Sequence, residues 1–164
     1  MVASSDPGTE LPATPAALLA LAAEHGLTLT ADGDFDTTGL DFLVVHARDP
    51  AGTPWIVRTP RRADVYASTR VEARVLAWVG PRLPVAVPTW QIHAPNIIAY
   101  PRIVGTPAVT VTASGPQWHI VDPAAPSPVF LDSFACMLAA LQAIPPAAEI
   151  PTTTIPEVRR ELAD

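Results

Sequence analysis

A run of strand-forming residues, Trp55-Ile-Val-Arg58, leads through Thr-Pro-Arg-Arg62 directly into a helical pattern over residues 64–79. In that pattern Val65, Thr69, Glu72, Leu76 and Val79 recur at steps of 4, 3, 4 and 3, which puts them on one helix face. Glu72 is the charge within that face. A carboxylate taken out of water without a partner costs several kcal/mol or gives up its charge, so whatever this helix covers must supply a cation. The nearest preceding cation on a strand is Arg58. Alternation along the strand sets Arg58 on the same side as Ile56, with Trp55 and Val57 on the other. The chain therefore needs a sheet with a helix laid across one of its faces.

The bulk numbers fit that requirement. With 164 residues, 49% of them hydrophobic and 16% charged, the chain has a globular composition, long enough for one domain or for one lobe and part of the next. The formal charge of −6 disfavours a general nucleic-acid binder, which needs a basic face. All cations are arginine. The absence of lysine excludes a Walker-type phosphate loop and lysine-based covalent or general-base catalysis, and leaves arginine and backbone N–H groups to meet any phosphate. The lone Cys136, inside an apolar run, is expected as a buried small residue and has no partner for an intramolecular disulfide. No apolar run reaches the length of a membrane span and no signal peptide is visible, so a cytoplasmic protein is expected, with no membrane partner.

Taken in order, Thr14-Pro15 and Gly26 bracket a short helix over about 15–25, with a capping threonine, a proline at the first position and a terminal glycine. Residues 27–30 alternate as a strand, residues 31–39 are polar and glycine-bearing, and residues 40–59 read as a hairpin about the turn Asp49-Pro-Ala-Gly52. After the helix come Gly80-Pro81 and Pro84, then strands over 87–93 and 97–100 separated by Ala94-Pro-Asn96. This gives five strands with a helix after the third. Prolines crowd residues 101–128, where one short strand is expected at 118–121, and an amphipathic helix follows over about 129–144. A linker at 151–156 and the start of another helix at 157–162 complete the chain.

A strand cation that grips nucleotide phosphates and is itself held by a helix carboxylate is the arrangement used in protein-kinase-like enzymes. Arg58 and Glu72 have the right order for it. A structural ion pair closing a strand-to-helix crossover explains the same spacing equally well. Thr37-Thr-Gly39 lies between two strands, where a phosphate-covering loop belongs, although a hairpin turn accounts for one glycine as readily. Arg61-Arg62 reads as a solvated turn. His25, His46, His93 and His119 are followed two positions later by Leu27, Arg48, Pro95 and Val121, so none starts an H-x-D-x-x-x-x-N catalytic loop. No histidine has a second ligand at metal spacing either, so no zinc site and no catalytic residue are expected.

Several stretches, in order, resemble the macrolide 2′-phosphotransferases, a branch of the aminoglycoside phosphotransferase family. They are Thr38-Gly-Leu-Asp-Phe42, Trp55-Ile-Val-Arg-Thr-Pro-Arg-Arg62, Asp64-Val65, Val71-Glu72-Ala73, Val87-Pro-Thr-Trp90, Ile98-Ala-Tyr-Pro101 and Gly105-Thr-Pro-Ala108. The resemblance implies an α+β fold: a protein-kinase-like N-terminal lobe, with an antiparallel sheet of about five strands and a packed helix, over residues 1–104. Residues 105–164 would then be a connector and the first helices of an incomplete C-terminal lobe. It further implies transfer of a GTP γ-phosphate, with ATP as the other possible donor, to the 2′-hydroxyl of a macrolide antibiotic. In that reading Thr37, Thr38 and Gly39 cover the phosphates and Arg58 with Glu72 anchors them. Tyr100 lines the purine pocket, and the Pro101 carbonyl and Ile103 N–H make hinge contacts. The family's catalytic loop and Mg²⁺ ligands have no counterpart in these residues, so Mg²⁺ is expected only with a further C-terminal lobe and this chain alone is expected to be inactive. The rival from a different class is a non-catalytic binding or assembly module that keeps the lobe fold.

Overall fold

The computed structural model describes residues 14–37, 39–112, 114–148 and 150. The linker and helix expected at 151–162 lie outside the described residues. Helix α1, Pro15–Glu24, starts where Thr14 accepts a hydrogen bond from the Ala17 N–H at 3.2 Å and Pro15 takes the first position, where a missing N–H costs nothing. Strands β1 (Thr30–Asp36), β2 (Phe42–Arg48) and β3 (Pro54–Pro60) follow, then helix α2 (Ala63–Val79) and a 3-10 turn at Gly80–Arg82. Strands β4 (Ile92–Ala94) and β5 (Ile97–Pro101) close the sheet. The order is β1-β2-β3-β5-β4, antiparallel throughout. A separate hairpin of β6 (Val109–Thr112) and β7 (Gly115–Trp118) precedes helix α3 (Pro128–Ala143).

The register of β2 on β3 is set by their turn. Asp49 Oδ1 accepts the Thr53 N–H at 2.8 Å, the Gly52 N–H reaches the Asp49 carbonyl at 2.9 Å, and Gly52 has φ +85°, a conformation that favours glycine. From that turn the ladder runs without a slip through Ala47↔Trp55 and Val44↔Arg58 to Phe42↔Pro60. The antiparallel pairing then divides the sheet into two faces. One face carries Val45, Ala47, Trp55, Val57, Ile92, Ile97 and Ala99, which form the core together with Leu18 and Ala22 of α1. The other face carries a row across the sheet, Val44, Arg58, Ile98 and His93, matched by register. Helix α2 meets this second face, with Val65 and Thr69 buried at the start of its apolar stripe.

The five-stranded sheet with α2 inserted after β3 agrees with the sequence, while several element boundaries differ from it. The polar stretch 31–39 is mostly strand: β1 runs from Thr30 to Asp36, and 27–30 is not a strand of its own. Pairing with the neighbouring β2 supplies the hydrogen bonds that the composition did not advertise. The strand expected over 87–93 shrinks to Ile92–Ala94: Pro88, which has no N–H to give a ladder, interrupts the run, and only Gln91, whose N–H reaches the Ala99 carbonyl at 2.9 Å, extends the pairing before β4. The single strand expected at 118–121 is replaced by the β6–β7 hairpin, which ends at Trp118. Cys136 is exposed, contrary to the buried position its apolar neighbours suggest. It sits on α3, where no residue is buried and Phe134, Leu138 and Leu141 remain exposed. The Trp78 Nε1–H donates to the Pro145 carbonyl at 3.1 Å and ties the segment after α3 back to α2. Among the described residues no helix is long and apolar enough to cross a membrane.

Candidate functional site

The second face of the sheet is where polar side chains converge. Arg58 rises from the middle of β3, and its Nη2 donates to Glu72 Oε1 of α2 at 2.7 Å. The arginine side chain is 14% exposed and that of the glutamate 41%. Glu72 is thus less enclosed than its place among Val65, Thr69 and Leu76 suggests. Because water still reaches the carboxylate, the pair is worth about 1 kcal/mol, closer to a surface bridge than to a buried one. Glu72 is held at the correct height by α2 itself: Thr69 and Val65 anchor the helix one and two turns earlier. Thr69 Oγ1 donates to the Tyr66 carbonyl at 2.7 Å and lies 2.9 Å from His93 Nε2. A hydroxyl has one proton, so with that proton on Tyr66 the imidazole Nε2–H is the donor. Burial pushes the His93 imidazole below its ordinary value of 6.5, and Arg58 and Arg70 lower it further against the opposing pull of Glu72.

Aromatic rings close around the arginine. Its guanidinium carbon lies 4.4 Å from the Phe42 ring centroid, 5.0 Å from Trp90 and 5.8 Å from Tyr100. Tyr100, opposite Ile56 on β5, is therefore beside Arg58, and burial raises its hydroxyl above the ordinary value of 10.0, keeping it protonated. Pro101 is the last residue of β5, opposite Trp55, and Ile103 follows it in an exposed position. Thr37 and Gly39 lie in the β1–β2 connection; Thr38 lies outside the described residues. A Cβ on Gly39 would stand 3.1 Å from the Phe42 carbonyl, a tight approach that favours glycine there.

Phe42 and Trp90 were not singled out by sequence reasoning as part of this site. Phe42 was within reach of it, because extending the hairpin register from Asp49–Gly52 brings Phe42 opposite Pro60, one rung diagonal from Arg58. Trp90 gave no such signal, since it precedes β4 in an irregular segment. Arg61 and Arg62 also do more than solvate a turn. Arg61 Nη2 donates to the Thr37 carbonyl, and the Arg61 N–H donates to the Asp41 carbonyl at 2.8 Å. Arg62 reaches the Leu40 carbonyl at 3.2 Å, Asp41 Oδ1 at 2.9 Å and Asp64 Oδ1 at 3.1 Å. These bonds fasten Thr37, Leu40 and Asp41 to the junction of β3 and α2.

A cavity of about 640 Å³ lies beside this cluster, lined by Ala73, Leu76, Val85 and Val87 and bounded by Trp90 and His93. None of the described residues among those proposed from sequence lines it. Among the described residues no group of three or more His, Cys, Asp or Glu side chains is placed to hold a metal ion.

A five-stranded antiparallel sheet, a helix after its third strand and a strand cation paired with a helix carboxylate define a kinase-like phosphotransferase fold. The chain belongs to the APH phosphotransferase enzyme family, whose model matches residues 35–164. Among solved structures it is similar to macrolide 2′-phosphotransferase MphH from Brachybacterium faecium, at 44% identity and a TM-score of 0.72, covering 79% of this chain and 43% of that one. It is also similar to a type I macrolide 2′-phosphotransferase, at 37% identity and a TM-score of 0.73, covering 94% of this chain and 53% of that one. The uncharacterized protein YcbJ of Bacillus subtilis (strain 168) is 39% identical over 127 residues, 76% of this chain and 41% of that protein. The chain spans about half the length of the relatives it matches.

Proposed function

We propose that this chain is the nucleotide-binding part of an antibiotic kinase that transfers the γ-phosphate of GTP, or of ATP, to the 2′-hydroxyl of a macrolide. The observation that carries the reading is the Arg58–Glu72 contact at 2.7 Å between the sheet and α2. A planar guanidinium pinned on one side by a carboxylate keeps terminal N–H donors for phosphate oxygens. Thr37, Thr38 and Gly39 cover those phosphates from the β1–β2 connection, which Arg61 and Arg62 hold down. Tyr100 borders the purine, and the Pro101 carbonyl and Ile103 N–H offer one acceptor and one donor to its edge. The nucleotide lobe comprises residues up to about 104, and the acceptor site and metal ligands belong to residues beyond those of this chain. Membership of the phosphotransferase family supports phosphoryl transfer, and likeness to two macrolide 2′-phosphotransferases supports the choice of acceptor.

Phosphoryl transfer requires both the phosphate cradle and carboxylate-held metal ions, so the 164-residue chain binds nucleotide without turnover. Calorimetric titration of GTP and ATP into the wild type and Arg58→Ala tests the binding. A clear loss of affinity in the variant is expected; equal affinity in both proteins removes Arg58 from the site. Phosphorylation of a macrolide by the chain alone would disprove the division of labour.

A further inference from the structure

The row of contacts around Arg58 closes on itself. Glu72 and Thr69 lie one turn apart on α2, Thr69 is bonded to His93 of β4, and His93 meets Trp90 edge to face at 4.9 Å between ring centroids. Trp90 lies 5.0 Å from the Arg58 guanidinium, and Arg58 returns to Glu72. Phe42 and Tyr100 add two more rings, each placed by a strand backbone whose register is fixed against β3. Inside this ring the Arg58 Nε is buried and has no hydrogen-bond acceptor among the described residues. An arginine N–H deprived of water and of an acceptor is normally a cost. Here the electron-rich faces of aromatic rings stand where water would be, and they attract the cation.

We propose that Phe42, Trp90 and Tyr100 form an aromatic cage that positions the Arg58 guanidinium, and that the cage is what makes arginine, not lysine, the phosphate-anchoring cation of this sheet. A guanidinium is flat and weakly hydrated, so it lies between rings while one edge binds Glu72 and the other remains free. An ammonium is compact and strongly hydrated; in the same box it loses water on every side and gains one bond to Glu72. Trp90 is the member that couples the cage to α2, through His93 and Thr69. It acts as a positioning residue, touching the cation and not the nucleotide. The inference rests on the nucleotide reading above for its consequence and on the ring geometry for its existence.

The test uses the 164-residue chain with two readouts. The first is the NMR shift of the Arg58 side-chain protons without nucleotide, which ring currents displace when the guanidinium lies over aromatic faces. Displaced resonances in the wild type and in Trp90→Phe, moving toward ordinary values in Trp90→Leu and Phe42→Leu, are expected. Ordinary values in the wild type overturn the cage. The second is GTP affinity by titration. Arg58→Lys and Trp90→Leu should each weaken binding about threefold to tenfold, with Trp90→Phe restoring it and with no further loss when Trp90→Leu is added to Arg58→Lys. A full additive loss in that double variant overturns the positioning role, as does wild-type affinity in Trp90→Leu while Arg58→Ala is weakened. Wild-type affinity in Arg58→Ala overturns the nucleotide reading instead, and the ring-current shifts then decide the cage alone. Phe42→Leu keeps the test open if Trp90→Leu does not fold.

Discussion

Two faces of one strand divide the labour of this protein. On β3, Trp55 and Val57 point into a closed apolar core against Leu18 and Ala22 of α1, whereas Ile56 and Arg58 point to the face that α2 meets with Thr69 and Glu72. The first face is dry and is held by area and close packing. The second buries Val65 and Ile98 as well, and adds to them one ion pair, one hydroxyl–imidazole hydrogen bond and a set of rings, each modest in energy and strict in direction. Stability therefore resides mainly on the α1 side and recognition on the α2 side, and substitutions on the two sides should separate the two properties.

The largest effect is expected from the α1 side. Leu18→Ala, at a fully buried position, should cost about 2–5 kcal/mol, read as a lower urea midpoint, while the folded fraction binds GTP as before. A change in affinity with no change in stability would erase the division. Next comes Arg58→Ala, which should weaken GTP about tenfold to a hundredfold, the worth of one charge-assisted contact to phosphate, while stability shifts by about 1 kcal/mol or less. A stability loss without an affinity loss would make the Arg58–Glu72 pair purely structural. Glu72→Gln keeps one acceptor for Arg58 and should weaken GTP by about threefold to tenfold, measured in the same titration.

Smaller still is the pH effect of His93. Its folded value is depressed, so the unfolded chain takes up the proton first as pH falls. The stability it contributes is present above about pH 6.5, the unfolded value, and is lost as pH falls through the folded value. Urea midpoints taken at falling pH below 7 should therefore decline in the wild type and decline less in His93→Gln. An unchanged slope would remove His93 from the support of Thr69. The smallest effect belongs to Arg62→Ala. Its partners Asp41 and Asp64 are exposed, so the urea midpoint should barely move, with a weaker grip of Leu40 and Asp41 seen as faster amide exchange at those two residues.

Much of this arrangement was legible in the residues. The turn at Asp49–Gly52, the alternation of Trp55 to Arg58 and the spacing of Val65, Thr69 and Glu72 are local signals, and each sets geometry within a few residues of itself. They identified the β2–β3 hairpin, α2 and the pairing of Arg58 with Glu72, as Thr14-Pro15 and Gly26 identified α1. Where local signal was weak, the reading faltered. Residues 31–36 are polar and include Gly33, yet they form a strand because β2 offers an edge to pair with. Cys136 looked buried because its neighbours are apolar, but burial requires a second surface and none of the described residues covers α3.

The sequence by itself determined the periods: two residues for the strands, 3.6 for the helices, and hence which side chains share a face and that Glu72 of α2 lies on the side of the sheet from which Arg58 rises. Tertiary structure alone decided what meets across those faces. Phe42, Trp90 and Tyr100 are far apart in the chain, and only the order β2-β3-β5-β4 brings them around one guanidinium. Periodicity is a property of neighbours along the backbone, whereas a cage depends on strand order and register, which are fixed only when the sheet closes.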